Sequence, residues 1–205
     1  MDFRGPHNGP RLLDPGSAEP EYRSNTHDSW YRWLRRPVDS DAIAIHRLVA
    51  ETGVLDLNST YAYLLMATDF ADTSIVADRG EGLCGVITGY HPPSRPEVLF
   101  IWQVAVTSSA RGTGLAAAML DRLTQRVRES RHGHPLTVEA TVAPGNAPSR
   151  ALFGAFARRH GVPLTEHEHF RAEHLDPQLS HEDEPVLRIG PIAAPLDTRY
   201  PRKDS

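Results

Sequence analysis

Cysteine is almost absent from this sequence, which has Cys84 alone among its 205 residues. A single cysteine excludes an intramolecular disulfide and, with it, the class of small secreted scaffolds that disulfides hold together. Cys84 lies in the strand-like stretch LCGVITGY, so we expect it to be a small core residue.

Long apolar runs are absent as well. No stretch approaches the roughly 20 consecutive apolar residues of a membrane helix, and the N-terminus lacks the apolar core of a signal peptide. We therefore expect a cytoplasmic protein that has no membrane partner.

Positive charge is not in excess either. Lys and Arg number 22 against 26 Asp and Glu, so the formal net charge is −4 at pH 7, which offers no general attraction to nucleic acid. The length suits one domain of about 150 residues with two tails. We expect a disordered tail over residues 1–27, a domain over residues 28–192 and a loose tail over residues 193–205, because both ends combine proline with charge.

The chain is organised around the stretch from Leu99 to Met119, in which a strand pattern changes into a helix pattern. Leu99–Val106 is apolar and rich in β-branched and aromatic residues, which predicts a buried strand. Thr107–Ala110 is small and polar, which predicts a turn. From Arg111 onward the period changes, and the apolar residues that recur every fourth position predict one face of a helix: Leu115, Met119, Leu123 and Val127.

Two glycines, Gly112 and Gly114, lie where this helix is expected to begin. The first turn of a helix carries backbone N–H groups without an internal partner, and glycine removes the side chains that would keep an anion away. The pair therefore favours a phosphate or pyrophosphate site. Close packing of the helix on its strand is the alternative explanation.

The letters GTGLAA also satisfy the dinucleotide fingerprint G-x-G-x-x-A, and Glu139 follows a second predicted strand about where a ribose-binding acid could lie. In a dinucleotide fold the first glycine closes the strand directly, whereas Thr107–Arg111 intervene here. Too few residues follow Glu139 for the remaining strands and crossovers. Both facts argue against a dinucleotide site.

The same letters satisfy R-x-x-G-x-A at Arg111, Gly114 and Ala116, and here the chain resembles the GCN5-related N-acetyltransferase superfamily, whose signature is Q/R-x-x-G-x-G/A. The resemblance implies that loop amides hold the pyrophosphate of acetyl-CoA and that the preceding strand binds its pantetheine arm. The predicted elements, in the order of that fold, are a strand, two helices, three strands, a helix, a strand, a helix and two strands. The expected class is α/β (α+β), with a mixed, mostly antiparallel central sheet flanked by helices.

Further stretches narrow the resemblance. Five stretches resemble the L-2,4-diaminobutyrate acetyltransferases of ectoine biosynthesis: Leu55–Leu65, Ile87–Pro96, Leu99–Val106, Glu139–Phe153 and His181–Pro191. That resemblance implies transfer of acetyl from acetyl-CoA to the γ-amine of L-2,4-diaminobutyrate, which yields N4-acetyl-L-2,4-diaminobutyrate. It also implies a homodimer and a role in osmotic protection, since ectoine is a compatible solute.

The resemblance assigns two groups of site residues. The expected catalytic groups are Asp56, Tyr61 and Glu182. The residues expected to surround the diamine are these three together with Trp102 and Glu184. The residues expected to bind acetyl-CoA are Val104, Ala105, Val106, Arg111, Gly112, Thr113, Gly114, Leu115, Ala116, Asn146, Ser149 and Phe153.

The chemistry of a diamino acid supports the first group. Such a substrate carries two ammonium groups and one carboxylate at pH 7, so binding it calls for carboxylates and aromatic faces. Asp56 could instead cap a helix, although Asn58 or Ser59 could also do so. Trp102 and Tyr63 could instead belong to the core.

A polar stretch near the C-terminus, EHEHFRAEHLDPQLSHEDE, contains four histidines: His167, His169, His174 and His181. Imidazole is a common metal ligand, but these spacings fit no zinc pattern, and amide formation from a thioester needs no metal. We therefore expect no metal. A solvated loop is the alternative to the interpretation that we favour, an acidic lip over the amine pocket.

Phe153 departs from the pattern of related acetyltransferases, which often have a tyrosine there as general acid for the departing thiolate. Phenylalanine cannot donate a proton, so water or a tyrosine elsewhere must serve, and a CoA thiol is acidic enough to leave without a donor. We expect direct attack of the amine on the thioester, with the oxyanion stabilised by a backbone N–H near Ala105 or Val106. The alternatives are acetylation of another small amine (polyamine, aminoglycoside or peptide amine) and a non-catalytic acyl-CoA sensor.

Overall fold

Seven strands form one mixed sheet in the computed structural model, which describes residues 30–132, 134–174 and 182–193. In chain order they are β1 (Leu34–Arg35), β2 (Ile75–Asp78), β3 (Leu83–Tyr90), β4 (Val98–Val106), β5 (Leu136–Thr141), β6 (Leu164–Phe170) and β7 (Glu184–Ile192). Their order across the sheet is β1-β2-β3-β4-β5-β7-β6, and every neighbouring pair is antiparallel except β4 and β5. The predicted mixed, mostly antiparallel sheet is confirmed.

Within the same ranges, four α-helices flank the sheet: α1 (Ala42–Thr52), α2 (Thr60–Ala67), α3 (Leu115–Ser130) and α4 (Ala147–His160). The order of strands and helices along the chain is the predicted one. The Ser59 hydroxyl accepts a hydrogen bond from the Ala62 N–H (3.2 Å), and this cap explains where α2 begins. No helix in the described ranges is long and apolar enough to cross a membrane.

The first and last strands differ from their predicted bounds. The sequence pattern predicts a strand over Trp30–Arg36, but Tyr31–Trp33 form a 3₁₀ turn and only the two residues of β1 join the sheet. The predicted strand Val186–Ile189 is the middle of the longer β7, which pairs with both β5 and β6. The predicted N-terminal tail and almost all of the predicted C-terminal tail lie outside the described residues.

Each face of the sheet has its own apolar core. Neighbouring strand residues point to opposite faces, so Val86 and Ile87 of β3 belong to different cores. The larger core packs α3 and α4 against one face through Leu99, Leu115, Met119, Leu123, Val127 and Phe156. The smaller core packs α1 and α2 against the other through Ile45, Val49, Tyr63 and Ala105. The predicted apolar face of α3 is therefore confirmed.

A cluster of charged side chains ties β1 to the start of α1 and to β2. Arg35 donates hydrogen bonds to both carboxylate oxygens of Asp41 (2.6 and 2.9 Å) and to Asp78 (2.8 Å). The backbone N–H of Val38 also donates to Asp41 (2.8 Å). Burial raises the pKa of Asp41, but the hydrogen bonds from Arg35 and Val38 outweigh it and hold this pKa below its ordinary value.

Asp41→Asn is therefore expected to lower the free energy of unfolding at pH 7 by about 1–3 kcal/mol. Because the pKa is lowered in the folded state, this stabilisation is present above the unfolded-state pKa, about 4, and is lost as the pH falls through the lower folded-state value. Urea unfolding should give the same difference between variant and wild type at pH 7 and pH 5, and a smaller one below pH 4. The exposed Asp69→Asn serves as control, and a difference that grows on acidification would contradict the account.

Candidate active site

An opening separates the two parallel strands, β4 and β5, toward their C-terminal ends. The ladder joins only residues 98–100 of β4 to residues 137–139 of β5. The rest of β4 stays paired with β3 as far as Val106 and has no partner in β5. Three predicted acetyl-CoA residues, Val104, Ala105 and Val106, lie in this segment, whose backbone groups on the β5 side can pair with a ligand.

Trp102 lies at a bulge in β4. Thr88 of β3 pairs with Gln103 and the next residue pairs with Ile101, so Trp102 has no partner across the ladder. Because Trp102 is an extra residue, the alternation of side chains along β4 shifts by one position there. The odd-numbered Leu99 and Ile101 face the larger core before Trp102, and the even-numbered Val104 and Val106 face it after Trp102. The Trp102 side chain is 38% exposed, so it is not a core residue.

Asp56 is exposed in the loop between α1 and α2, and this loop is fastened to β4. The Gln103 side-chain amide donates to the Asp56 carbonyl (2.8 Å), so the residue next to Trp102 holds the Asp56 backbone. Two predicted substrate residues, Asp56 and Trp102, therefore belong to one part of the molecule. The cap of α2 is Ser59, which removes the alternative role of Asp56 as a helix cap.

The two tyrosines of α2 lie in different environments. Tyr61, in the first turn, is 67% exposed and available to a ligand. Tyr63 is fully buried in the smaller core, and its hydroxyl donates to the Gln103 side-chain oxygen (3.1 Å). The structure therefore separates a surface tyrosine from a core tyrosine.

Two acidic side chains lie on the β5 side of the opening. Glu182 accepts a hydrogen bond from the Gly145 N–H (2.8 Å) in the turn that follows β5. A Cβ atom on Gly145 would approach the Glu182 carboxylate to 2.8 Å, so this contact depends on the glycine. Glu184 begins β7 and is half-buried. Four of the five predicted diamine residues thus fall into two groups, with Asp56 and Trp102 on the β4 side and the two glutamates on the β5 side, while Tyr61 lies in the first turn of α2.

A tight turn joins β4 to α3. Gly112 and Gly114 have φ of 73° and 84°, a left-handed conformation that a right-handed helix does not accommodate. The two glycines therefore belong to the turn that follows the change of period at Arg111, and the helix begins at Leu115. Its first hydrogen bond runs from the Ala118 N–H to the Gly114 carbonyl (3.0 Å), which leaves the preceding N–H groups without a helical partner.

This helix end suits an anion. In the described turn and helix, no side chain caps the N-terminus and no acidic residue lies in the first turn, so the positive end of the dipole is not neutralised. Leu115 is buried and Ala116 is half-buried, so both offer a ligand only their backbone N–H groups. Arg111 is exposed beside the turn, where its charge can reach a phosphate.

Trp30 and Thr113 hold the glycine turn in place. The Trp30 indole N–H donates to the Thr113 carbonyl (3.3 Å), and the Thr113 hydroxyl donates to the Ala110 carbonyl (2.7 Å). The sequence pattern did not single out Trp30, because its contact with the turn is made across a long stretch of chain.

The start of α4 borders the opening on the β5 side. The Asn146 side-chain oxygen accepts a hydrogen bond from the Ser149 N–H (3.1 Å) and caps the helix. Phe153, one helical turn after Ser149, is only 2% exposed and belongs to the larger core. The structure therefore gives Asn146 a structural role of its own and places Phe153 among apolar side chains.

Residues 28–157 match the family model described as the acetyltransferase (GNAT) family. The chain belongs to that family. It is 44% identical to the L-2,4-diaminobutyric acid acetyltransferase of Streptomyces avermitilis over 162 residues, which cover 78% of this chain and 88% of the relative. The protein of the same name from Halomonas elongata is 38% identical over 167 residues, 81% of this chain and 84% of the relative.

Solved structures of GNAT-family proteins agree with this assignment. Diaminobutyrate acetyltransferase EctA from Paenibacillus lautus, solved in complex with its substrate L-2,4-diaminobutyric acid and coenzyme A, has 39% identity and a TM-score of 0.72, and the match covers 78% of this chain and 94% of that one. The ribosomal-protein-S18-alanine N-acetyltransferase from Escherichia coli, at 13% identity and a TM-score of 0.55 over 82% and 97% of the chains, shows the fold alone. The predicted superfamily and fold are confirmed.

Glu139 has a structural role in this GNAT-family chain. Its buried carboxylate accepts a hydrogen bond from Arg95 (2.6 Å) and lies 3.6 Å from the Arg188 guanidinium on β7. The residue that the dinucleotide fingerprint would have assigned to a ribose thus lies in an ion pair at the paired end of β4 and β5. This ion pair supports the end of the sheet where the two strands are still joined.

Two of the four histidines of the polar stretch lie on the edge strand β6. His167 and His169 are exposed there, and the His167 ring lies 3.0 Å from the Thr165 hydroxyl. Among the described residues, no group of three or more His, Cys, Asp or Glu side chains could hold a metal ion; His181 lies outside them. A pocket of about 390 Å³ lies nearby, between the end of β6 and the turn after β5, and its lining includes Pro144, Glu168 and Asp183.

Proposed function

We propose that this chain transfers the acetyl group of acetyl-CoA to the γ-amine of L-2,4-diaminobutyrate and yields N4-acetyl-L-2,4-diaminobutyrate. The observation that carries the proposal is the likeness to the Paenibacillus lautus enzyme solved with this substrate and coenzyme A, at 39% identity over 78% of the chain. The product would serve ectoine synthesis and hence protection from osmotic stress. We also propose the cytoplasm as its compartment, because cells make acetyl-CoA there.

We place acetyl-CoA in the opening between β4 and β5. The N–H groups around Gly112 and Gly114 would bind its pyrophosphate, and the free edge of β4 would bind its pantetheine arm. The thioester carbonyl would then lie by the backbone N–H of Ala105 or Val106, which stabilises the oxyanion. On its α4 side, the acetyl-CoA site would be bounded by Asn146, Ser149 and Phe153.

We place the diamine at the mouth of the same opening. A substrate with two ammonium groups needs carboxylates, and Asp56 on the β4 side and Glu182 on the β5 side supply them. Trp102 and Tyr61 are exposed aromatic residues that can cover an ammonium group. Glu184 and two carboxylates of the nearby pocket, Glu168 and Asp183, would form the acidic lip, although Arg171 in the same lining offsets part of their charge.

The proposed reaction is a direct transfer. The ammonium group first loses a proton to Asp56, Glu182 or water, with Tyr61 positioned to hold the amine. The nitrogen lone pair attacks the carbonyl carbon and forms the C–N bond, and the nitrogen then gives a second proton to a carboxylate or to water. The C–S bond breaks, and CoA leaves as a thiolate that takes up a proton from water. Burial raises the pKa of the Cys84 thiol, which keeps the one cysteine of the chain protonated and supports transfer without an acyl-enzyme.

An amine panel tests the proposed function. The purified protein is mixed with acetyl-CoA and, in turn, L-2,4-diaminobutyrate, a polyamine, an aminoglycoside and a peptide amine, and release of free CoA thiol is followed. We expect kcat/KM to be highest for diaminobutyrate. A higher value for another amine supports a different acetyltransferase, and binding of acetyl-CoA without turnover of any amine supports an acyl-CoA sensor.

Phe153→Leu is expected to change the rate by packing alone. The side chain is buried in the larger core, so its truncation should cost about 1 kcal/mol or slightly more in stability. Because phenylalanine has no proton to give, the pH–rate profile should keep its shape and its apparent pKa values. Loss of a titrating limb in the variant would contradict an effect by packing alone, because the substitution would then have disturbed a group that transfers a proton.

We further propose that the chain forms a homodimer through the edge strand β6. All seven residues of this strand are exposed, including Leu164 and Phe170, and an exposed edge with apolar side chains favours pairing with a second strand. Sedimentation at micromolar concentration should give a dimer for wild type and more monomer for Phe170→Asp. A monomeric wild type contradicts this proposal.

A further inference from the structure

A buried amide interrupts the apolar strand β4. Gln103 is 6% exposed and is flanked by Trp102 and Val104. A buried amide costs free energy unless both its donor and its acceptor are paired. Both partners of Gln103 belong to the segment of chain that carries Asp56.

The hydrogen bonds around Gln103 form a directed ring. Its amide nitrogen donates to the Asp56 carbonyl (2.8 Å), and the Tyr63 hydroxyl donates to its amide oxygen (3.1 Å). The Asn58 backbone N–H donates to the Tyr63 hydroxyl oxygen (3.3 Å), and the Asn58 side chain donates to the Asp56 carbonyl (3.4 Å). Since a backbone carbonyl only accepts, the direction of each of these bonds is fixed.

This ring and the packing of Leu55 against the smaller core together attach the Asp56 loop to the sheet. Val54 and Leu57 of the loop are 84% and 50% exposed, so they contribute little packing. Tyr63 is immobilised in the smaller core, where it packs edge-on against His46 with ring centroids 5.9 Å apart. Hydrogen bonds in such a buried network strengthen one another, so the ring can fix the Asp56 backbone, whose own side chain and whose neighbour Leu57 are exposed.

We propose that Gln103 and Tyr63 are positioning residues for the amine substrate, because they set the place of Asp56 relative to Trp102. The inference rests on the proposed function, which assigns Asp56 to the amine. Gln103 binds the backbone carbonyl of Asp56 and leaves the carboxylate available to a ligand. A misplacement of about 1 Å near a reacting group can cost about 100-fold in rate, so a fixed loop matters.

Gln103→Met tests the proposal, because methionine keeps the volume and makes neither hydrogen bond. We expect KM for L-2,4-diaminobutyrate to rise about tenfold while KM for acetyl-CoA stays within about twofold of wild type. Tyr63→Phe should act in the same direction with a smaller effect, and it keeps the test available if the first variant folds poorly. The double variant should be no worse than Gln103→Met alone, since the two residues belong to one ring.

Thr88→Val is the matched control. Thr88 pairs with Gln103 across the β3–β4 ladder, it is fully buried, and its hydroxyl has no hydrogen-bond partner among the described residues. Both KM values should stay at the wild-type level, because removal of an unpaired hydroxyl leaves the ring intact. Folded Gln103→Met with an unchanged KM for the amine, or with equal rises in both KM values, overturns the proposal.

Amide hydrogen exchange separates failure of this inference from failure of the proposed function. The Asn58 N–H is bonded to the Tyr63 hydroxyl, so it should exchange faster in Tyr63→Phe than in wild type, with no substrate present. Unchanged exchange would show that the ring does not hold the loop. A wild-type protein that fails to acetylate diaminobutyrate overturns the proposed function instead, and with it the assignment of the loop to this amine.

Discussion

Asp56→Ala is expected to lower kcat/KM for L-2,4-diaminobutyrate by about 10- to 150-fold, with KM for acetyl-CoA within about twofold of wild type. The proposed role of this carboxylate is a charge-assisted contact with an ammonium group, and such a contact contributes about 1.5–3 kcal/mol. Gln103 holds the backbone carbonyl of Asp56, so removal of the side chain leaves the loop attached. Steady-state kinetics with each substrate varied in turn measure both effects.

Asp69→Ala is the control for this prediction, since Asp69 is also an exposed aspartate but follows the end of α2, away from the loop. Its kinetics should match wild type. Full activity of Asp56→Ala would remove Asp56 from the amine site and require a different orientation of the substrate.

Gly114→Val is expected to raise KM for acetyl-CoA about 100-fold, through the loss of about two charge-assisted hydrogen bonds to the pyrophosphate. Gly114 lies at the N-terminus of α3 with φ of 84°, so a branched side chain both strains the turn and occupies the approach to the helix N–H groups. KM for diaminobutyrate should change far less. Calorimetry with acetyl-CoA and steady-state kinetics give the two values.

Gly161→Val separates strain from ligand binding. Gly161 shares the left-handed backbone of Gly114 but follows the C-terminus of α4, with φ of 62° and open space where a side chain would lie. The control therefore carries similar backbone strain at the far end of α4. Equal losses of acetyl-CoA binding in the two variants, or unchanged binding in folded Gly114→Val, would contradict the placement of the pyrophosphate at this turn.

Local patterns in the sequence predicted most of the elements. The apolar run before Thr107 and the four-residue spacing after Arg111 identify β4 and α3. The start of α2 was predicted at Asn58 or Ser59, and the structure selects Ser59. Such features are local, since a strand, a cap or a helix face depends on residues a few positions apart. The apolar spacing did not show that Gly112 and Gly114 adopt a left-handed backbone, which sets the first residue of α3 at Leu115.

Contacts across long stretches of chain could not be predicted in the same way. The bulge at Trp102 depends on how β3 and β4 are paired, and it decides that Gln103 faces α2. The attachment of Glu182 to Gly145 joins a C-terminal segment to the turn after β5. One signal was nevertheless present in the sequence: a glutamine inside an apolar strand requires buried partners.

The position of the acetyl group on the product tests the account most directly. The protein is incubated with acetyl-CoA and L-2,4-diaminobutyrate, and the product is examined by NMR. The account predicts acetyl on the γ-nitrogen, because the α-amino and α-carboxylate groups orient the substrate while the γ-amine reaches the thioester. Acetyl on the α-nitrogen, or no acetylated product, would contradict it.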